Sequence, residues 1–404
     1  MQKVARILGM LSFHSEITNE NGSVNGLSRV EELQSIRGIA ALIVLLHHAF
    51  FYYAPKTELA EYVNILLNSH AAVILFFVLS GFVLTLALLK FQITIKSIAE
   101  FYFRRLFRIY PAIWVSCCFS VLIILLLHIH SLGGVQASEW ASRYFRTDGF
   151  TAWSVLSSFV GYGNYLNPPL WSIRVELVGS LLMPLIVLIM IRSKILFIAC
   201  LLSLVVVSFF GVDAVSTSNF ISYIDKYTLG AYMHLFNFAL GASIVLWGKS
   251  VLRLGVWASR ALAIFALVGL LAGRSIGGWS LENDFNAPLP ALVESLSSAL
   301  FVAVVAYHRN VIGWLSSRRC LTLGNMSYSM YLLHFPLMVG IAIALSRQMG
   351  LQIFSSGVSY LASLGLMLLT LLLTLPLAWV SFKYIENGGI VFGKRVMQYL
   401  QRTA

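Results

Sequence analysis

The stretch AAVILFFVLSGFVLTLALL, residues 71–89, carries no charged side chain and decides how the rest of the chain is read. A helix needs about 20 apolar residues to cross the ~30 Å hydrocarbon core of a bilayer. Working outward, Gly38 to Tyr53 and Gly357 to Phe382 repeat the pattern. Seven further apolar runs complete a set of ten expected spans, at 36–53, 71–90, 107–128, 171–191, 195–211, 229–247, 256–273, 289–307, 324–346 and 357–382. The fifth is short and the seventh is interrupted by glycines. The expected fold class is therefore all-α: a polytopic membrane helical bundle of about ten transmembrane helices. Bulk composition agrees, since 59% of residues are apolar and only 11% charged, against about 25% charged in a soluble domain.

The formal net charge of +12 is distributed as a membrane protein distributes it. Bilayer proteins collect Lys and Arg in their cytoplasmic loops. With the N-terminus cytoplasmic, roughly 20 basic residues fall on that side and roughly 6 opposite it, namely Lys56, Arg143, Arg146, Lys226, Arg274 and Arg347. Arg37 and Arg174 fall within spans. An even number of spans then places both termini in the cytoplasm. No basic patch with interleaved stacking aromatics lies outside the spans, so nucleic acid is not an expected partner. The expected domains are a polar cytoplasmic tail at 1–34, a membrane domain at 35–387 and a short basic tail at 388–404. No soluble domain is expected at either end, and the first span serves as an uncleaved insertion signal. Cys117, Cys118, Cys200 and Cys320 lie in or beside apolar runs without metal-ligand or redox spacing. In the long loop near 129–170, Trp140, Tyr144, Trp153 and Tyr162 suit a membrane interface.

Charge inside hydrocarbon is unfavourable by at least ~2.5–3.5 kcal/mol per residue, so ionisable groups within spans usually face a cavity and have a task. Arg37 and His48 share the first span. Eleven residues make close to three turns, which puts both on one face, roughly 16 Å apart along the axis. Arg37 either snorkels to headgroups or lines a path. His48, beside His47, is either interfacial or a general base. In FYFRRLFRIYP, residues 101–111, Arg105 and Arg108 are helical neighbours. Two guanidinium forks on one face, with Arg104 beside them, grip a phosphate or simply anchor to anionic lipid. Ser172 and Glu176 stand one turn apart in WSIRVE, residues 171–176. Glu176 can orient an imidazole or abstract a proton, or it can close a local contact with Arg174 or Ser172. Tyr331 and His334 share a face in the polar segment 323–334, where hydrogen bonding between helices is a sufficient role. Glu294, in the eighth span, is a less specific candidate. Phosphate-binding glycine loops, nucleophile elbows and metal-ligand spacings are not found in the sequence. No metal is expected.

These segments together resemble the acyltransferase 3 family of bacterial multi-span enzymes that O-acylate surface carbohydrates. The resemblance covers roughly residues 30–387. It rests on SIRGIAA at 35–41 followed by His48, FFVLSGF at 76–82, the Arg104/Arg105/Arg108 segment, Trp171-Ser172 to Glu176, and Ser327 to His334. The Arg, ten residues, His spacing selects His48 over His47. The family's C-terminal Tyr-x-x-x-Glu-x-Pro pattern is not matched by YIENG at 384–388, so Glu386 receives no role. A fused extracytoplasmic hydrolase-like domain is likewise not seen.

What the resemblance implies is transfer of an acyl group, commonly acetyl, from cytoplasmic acyl-CoA to a carbohydrate or glycolipid hydroxyl at the outer face. The setting is the bacterial inner membrane, and acetyl-CoA is a co-substrate rather than a resident cofactor. Arg104, Arg105 and Arg108 are expected to bind the CoA phosphates, and Arg37 to lie near the pantetheine path. His48 is expected to deprotonate the acceptor or accept the acyl group, and Glu176 to orient it. Ser172, Tyr331 and His334 are expected in support. Either the membrane domain acylates the final acceptor or a separate extracytoplasmic partner completes the transfer. A polysaccharide or glycolipid transporter or flippase, and a non-catalytic subunit of a synthesis complex, fit the same composition.

Overall fold

The computed structural model describes residues 31–52, 58–90, 93–127, 151–217, 234–251, 254–278, 288–308, 311–348 and 360–403. Trp140, Tyr144 and the first thirty residues lie outside them. Among the described residues there is no β-strand. The helices are α1 (Glu31–Phe51), α2 (Glu58–Leu66), α3 (Ser69–Leu89), α4 (Ile95–Leu126), α5 (Ala152–Phe159), α6 (Leu170–Arg192) and α7 (Lys194–Thr217). After them come α8 (Leu235–Val251), α9 (Val256–Ile276), α10 (Pro288–Tyr307), α11 (Arg318–Asn325), α12 (Ser327–Gln348), α13 (Tyr360–Ser381) and α14 (Asn387–Thr403). A π-helical turn, Phe382–Glu386, joins α13 to α14.

Helices are what lipid demands, because no water is available to satisfy backbone groups left open. Eight described helical stretches are long and apolar enough to cross a membrane. Two shorter apolar stretches, Lys194–Ser208 and Leu235–Gly248, fall where the fifth and sixth spans are expected. The chain is a multi-pass membrane protein. Serine and threonine inside these helices bond back one turn rather than breaking them: Thr85 donates to the Gly81 carbonyl, Ser120 to Ser116, Ser203 to Ala199 and Ser208 to Leu204.

Several boundaries differ from the hydropathy reading. The third span begins as a helix at Ile95, twelve residues before its expected edge, so the arginines at 104, 105 and 108 all lie inside the 32-residue α4. The stretch at 324–346 is broken at Met326 into α11 and α12. Arg274, expected in an outer loop, is in the last turn of α9 and only 1% exposed.

The chain forms two compact units. The first contains Val73–Phe103 and Val175–Leu321 together with residues 31–36. In it α9 and α10 are tied by Arg274, whose Nε and Nη2 donate to the Glu294 carboxylate at 3.0 and 3.3 Å. The FFVLSGF motif packs here: a Cβ on Gly81 would lie 2.1 Å from the Phe238 carbonyl of α8, so only glycine permits that approach. The second unit contains Arg37–Ala72, Arg104–Arg174 and Thr322–Ala404. Its apolar core joins Ala49 and Tyr52 of α1, Phe335, Met338, Val339, Ala342 and Ile343 of α12, and Leu366 of α13.

Candidate active site

The second unit gathers most of the polar residues singled out in the sequence. His48 leaves the last turn of α1, and its Nδ1 lies 2.9 Å from Nε2 of His334 on α12. The rings stack with centroids 5.2 Å apart, and Phe335 closes on His48 edge-on at 5.9 Å. His334 is fully buried, and its other nitrogen, Nδ1, faces the Met330 carbonyl at 3.3 Å.

That chain of contacts assigns the protons. A carbonyl only accepts, so Nδ1 of His334 carries the hydrogen and its Nε2 carries a lone pair. Nε2 of His334 therefore accepts from Nδ1–H of His48, which leaves the lone pair of neutral His48 on Nε2. In that tautomer Nε2 of a neutral His48 is an atom able to accept a proton.

Beside the pair, Tyr331 packs 5.8 Å from the His334 ring, and its hydroxyl lies 2.7 Å from Ser172 Oγ. Ser172 also donates to the Pro169 carbonyl at 3.0 Å. The segment before α6 is drawn onto α12 by Asn167, whose side-chain amide donates to the Leu332 carbonyl at 2.7 Å. Two consecutive prolines, Pro168 and Pro169, form the turn that leads into α6, and Asn167 stands where a turn residue is wanted. Arg174 is taken up locally: Nη1 donates to the Tyr162 carbonyl at 2.8 Å, and the guanidinium lies over the Tyr162 ring. His47 is bonded to Asn64 of α2 at 3.1 Å, and its ring meets His48 edge-on with centroids 5.7 Å apart.

A second polar cluster forms at the other end of α1. Glu386, on the π-turn, is 6% exposed. Its Oε1 accepts from the Ser329 backbone N–H at 2.9 Å and from the Ser329 hydroxyl, and Ser381 Oγ lies 2.8 Å from that hydroxyl. Arg108 and Arg37 are both near enough to act on the carboxylate electrostatically. Close backbone packing assembles the cluster. A Cβ on Gly38, next to Arg37, would lie 2.5 Å from the Gly324 nitrogen of α11. A Cβ on Gly389 would lie 2.5 Å from the Phe107 carbonyl and 2.8 Å from Pro111, on either side of Arg108. The Tyr328 hydroxyl donates to the Ile109 carbonyl at 3.2 Å. One long helix thus holds an arginine at its start and an imidazole at its end, each in a built polar cluster.

The family model described as an acyltransferase domain, acyltransferase 3, matches residues 30–383. The chain belongs to the acyltransferase 3 family. Among curated proteins it is similar to the O-acetyltransferase OatA of Staphylococcus aureus strain NCTC 8325 / PS 47, 23% identical over 341 residues that cover 77% of this chain and 51% of the relative. OatA of strain COL matches with the same figures. The chain thus spans about half the length of the curated relatives it matches. No solved structure matches it significantly.

For this acyltransferase 3 protein, the structure brings His48, His334, Tyr331 and Ser172 into one unit, with Arg37 and Arg108 in the same unit around Glu386. Arg104 and Arg105 precede Arg108 on α4. Arg104 and Arg108 are exposed, and Arg105 is half-buried. Glu176 lies one turn beyond Ser172 on α6 but belongs to the first unit, where its carbonyl accepts from the Ser180 hydroxyl. Glu294 belongs there too, in the ion pair with Arg274. Glu386 is the residue that motif reading passed over. The signal was present: a carboxylate at the end of an apolar run warrants a partner whatever its spacing from a proline.

Proposed function

We propose that this protein is a membrane O-acyltransferase that takes an acyl group, most simply acetyl, from cytoplasmic acyl-CoA. The acceptor is a carbohydrate or glycolipid hydroxyl at the extracytoplasmic face of the bacterial inner membrane. The observation that carries the reading is the His48–His334 pair, which presets Nε2 of His48 as a base within a chain of acyltransferase 3 ancestry. The alternative of a flippase gives no reason for a base with a fixed tautomer.

In the reaction, Nε2 of His48 removes the proton from the acceptor hydroxyl as its oxygen attacks the thioester carbonyl carbon. The C–S bond breaks as the ester C–O bond forms, and the proton held by His48 passes to the departing thiolate to give CoA-SH. Positive charge on His48 in the transition state strengthens its Nδ1–H bond to His334, so the interaction grows when it matters. Arg108 and Arg37, with Arg104 and Arg105, are suited to the phosphates of CoA. Glu176 is retained as a candidate for orienting the acceptor or the base. The roughly 16 Å between Arg37 and His48 along α1 is a span that an extended pantetheine arm can follow. Both termini in the cytoplasm, as the charge bias requires, puts the arginine end of α1 on the donor side.

The test is a comparison of surface glycans from cells carrying the intact gene, a deletion, and His48→Ala. A fixed acyl mass per repeat, present only with the intact gene, is the expected result, with the ester position assigned by NMR. Loss of the whole polymer in the deletion points to export or synthesis instead. Retention of the acyl mass in folded, membrane-inserted His48→Ala refutes the assignment of the base.

A further inference from the structure

The transfer chemistry leaves Glu386 unused, although the fold goes to some length to place it. The π-turn adds a residue to the helical repeat and rotates the helix beyond it by about 100°, and such turns often occur at functional positions. Here it directs the carboxylate inward, where Ser329 holds one oxygen through two donors. Arg108 belongs to the same cluster, because Tyr328, the neighbour of Ser329, bonds the carbonyl of Ile109, and Gly389 packs against Phe107 and Pro111 on either side of Arg108. Arg37 is in the same unit, next to Gly38 where that glycine meets Gly324. These two guanidinia are also groups that a donor phosphate would engage, and a phosphate and a carboxylate compete for one guanidinium fork.

We propose that Glu386 is an internal counter-ion that competes with the phosphates of CoA for Arg108 and Arg37. With no donor bound, it balances positive charge from these two cations. With a donor bound, it opposes the phosphates and lowers the affinity for CoA, so that the spent carrier leaves after transfer. Ser329 is the anchor that keeps the carboxylate in reach of the arginines. The proposal rests on acyl-CoA being the donor. It adds that this affinity is held down by design, so removing the negative charge strengthens binding.

The experiment is direct binding of CoA to the full chain in lipid nanodiscs, followed by steady-state turnover of acetyl-CoA. One unit charge within about 10 Å of the ligand, at an effective dielectric of about 20, changes binding on the order of tenfold. Glu386→Gln is therefore expected to bind CoA about tenfold more tightly, with KM for acetyl-CoA and kcat both falling as product release slows. A purely structural role would raise KM or reduce folded protein. Glu386→Asp keeps the charge and is expected to stay within about threefold of wild type. Glu386→Met, similar in length and uncharged, replaces the Gln variant if that does not accumulate. Equal or weaker CoA binding by a folded uncharged variant overturns the proposal while leaving the donor reading intact. Failure of the wild-type protein to bind CoA overturns both.

Discussion

Replacing His334 with phenylalanine keeps a ring of similar volume in a fully buried position and removes the acceptor for Nδ1–H of His48, 2.9 Å away. Leaving this part-buried donor without its acceptor is unfavourable by at most about 1–3 kcal/mol. If that loss appears in the transition state, it corresponds to roughly a 5- to 150-fold fall in kcat/KM, since each 1.36 kcal/mol is tenfold. The ring is also released to rotate or change tautomer, which pushes the effect to the upper part of that range. The assay is formation of free CoA thiol from acetyl-CoA by purified protein in nanodiscs, with a sugar acceptor, against His48→Ala as the inactive reference. Because His334 acts through His48, the double variant should be no worse than His48→Ala alone, a failure of additivity expected of residues working as a unit. A His334→Phe protein within threefold of wild type, or a double variant with additive losses, refutes the assignment of His334 as the orienting group.

Two further outcomes follow from packing. Arg274→Leu leaves the fully buried Glu294 carboxylate without its cation and should lower stability by about 3–5 kcal/mol, whereas Arg274→Leu with Glu294→Leu should recover most of it; thermal unfolding in detergent reads both. Gly38→Ala puts a methyl 2.5 Å from the Gly324 backbone nitrogen, forcing α1 and α11 apart at a stability loss of about 1–3 kcal/mol; unchanged melting and unchanged CoA binding would contradict that packing.

Much of the architecture is legible in the sequence because hydrocarbon imposes one dominant rule, a long apolar helix for every crossing. Hydropathy locates the span regions, including the two whose apolar stretches are short. It does not report the first turns of α4, because amphipathic residues such as Phe101, Arg104 and Arg105 continue the helix without raising its hydropathy. The burial of Arg274 is hidden for a related reason, since a window average cannot see a carboxylate arriving from another helix. In the site, the face shared by Arg37 and His48 follows from the helical repeat, and so does the nearness of Tyr331 to His334. The meeting of His48 with His334 is a tertiary event between distant segments and leaves no local trace. Glu386 is hidden by a different mechanism: the π-turn shifts the register, so the spacing by which a motif is recognised no longer reports where the carboxylate points.

The two imidazoles are separated by 286 positions in the chain. At about 5–20 residues per second of synthesis, roughly 15–60 s pass between the emergence of the first and that of its partner. Throughout that interval the nascent chain has His48 but lacks the acceptor that settles its tautomer. On the proposed mechanism the oriented base therefore comes into being only when α12 inserts, so a ribosome-bound or truncated product holds His48 without the partner that orients it.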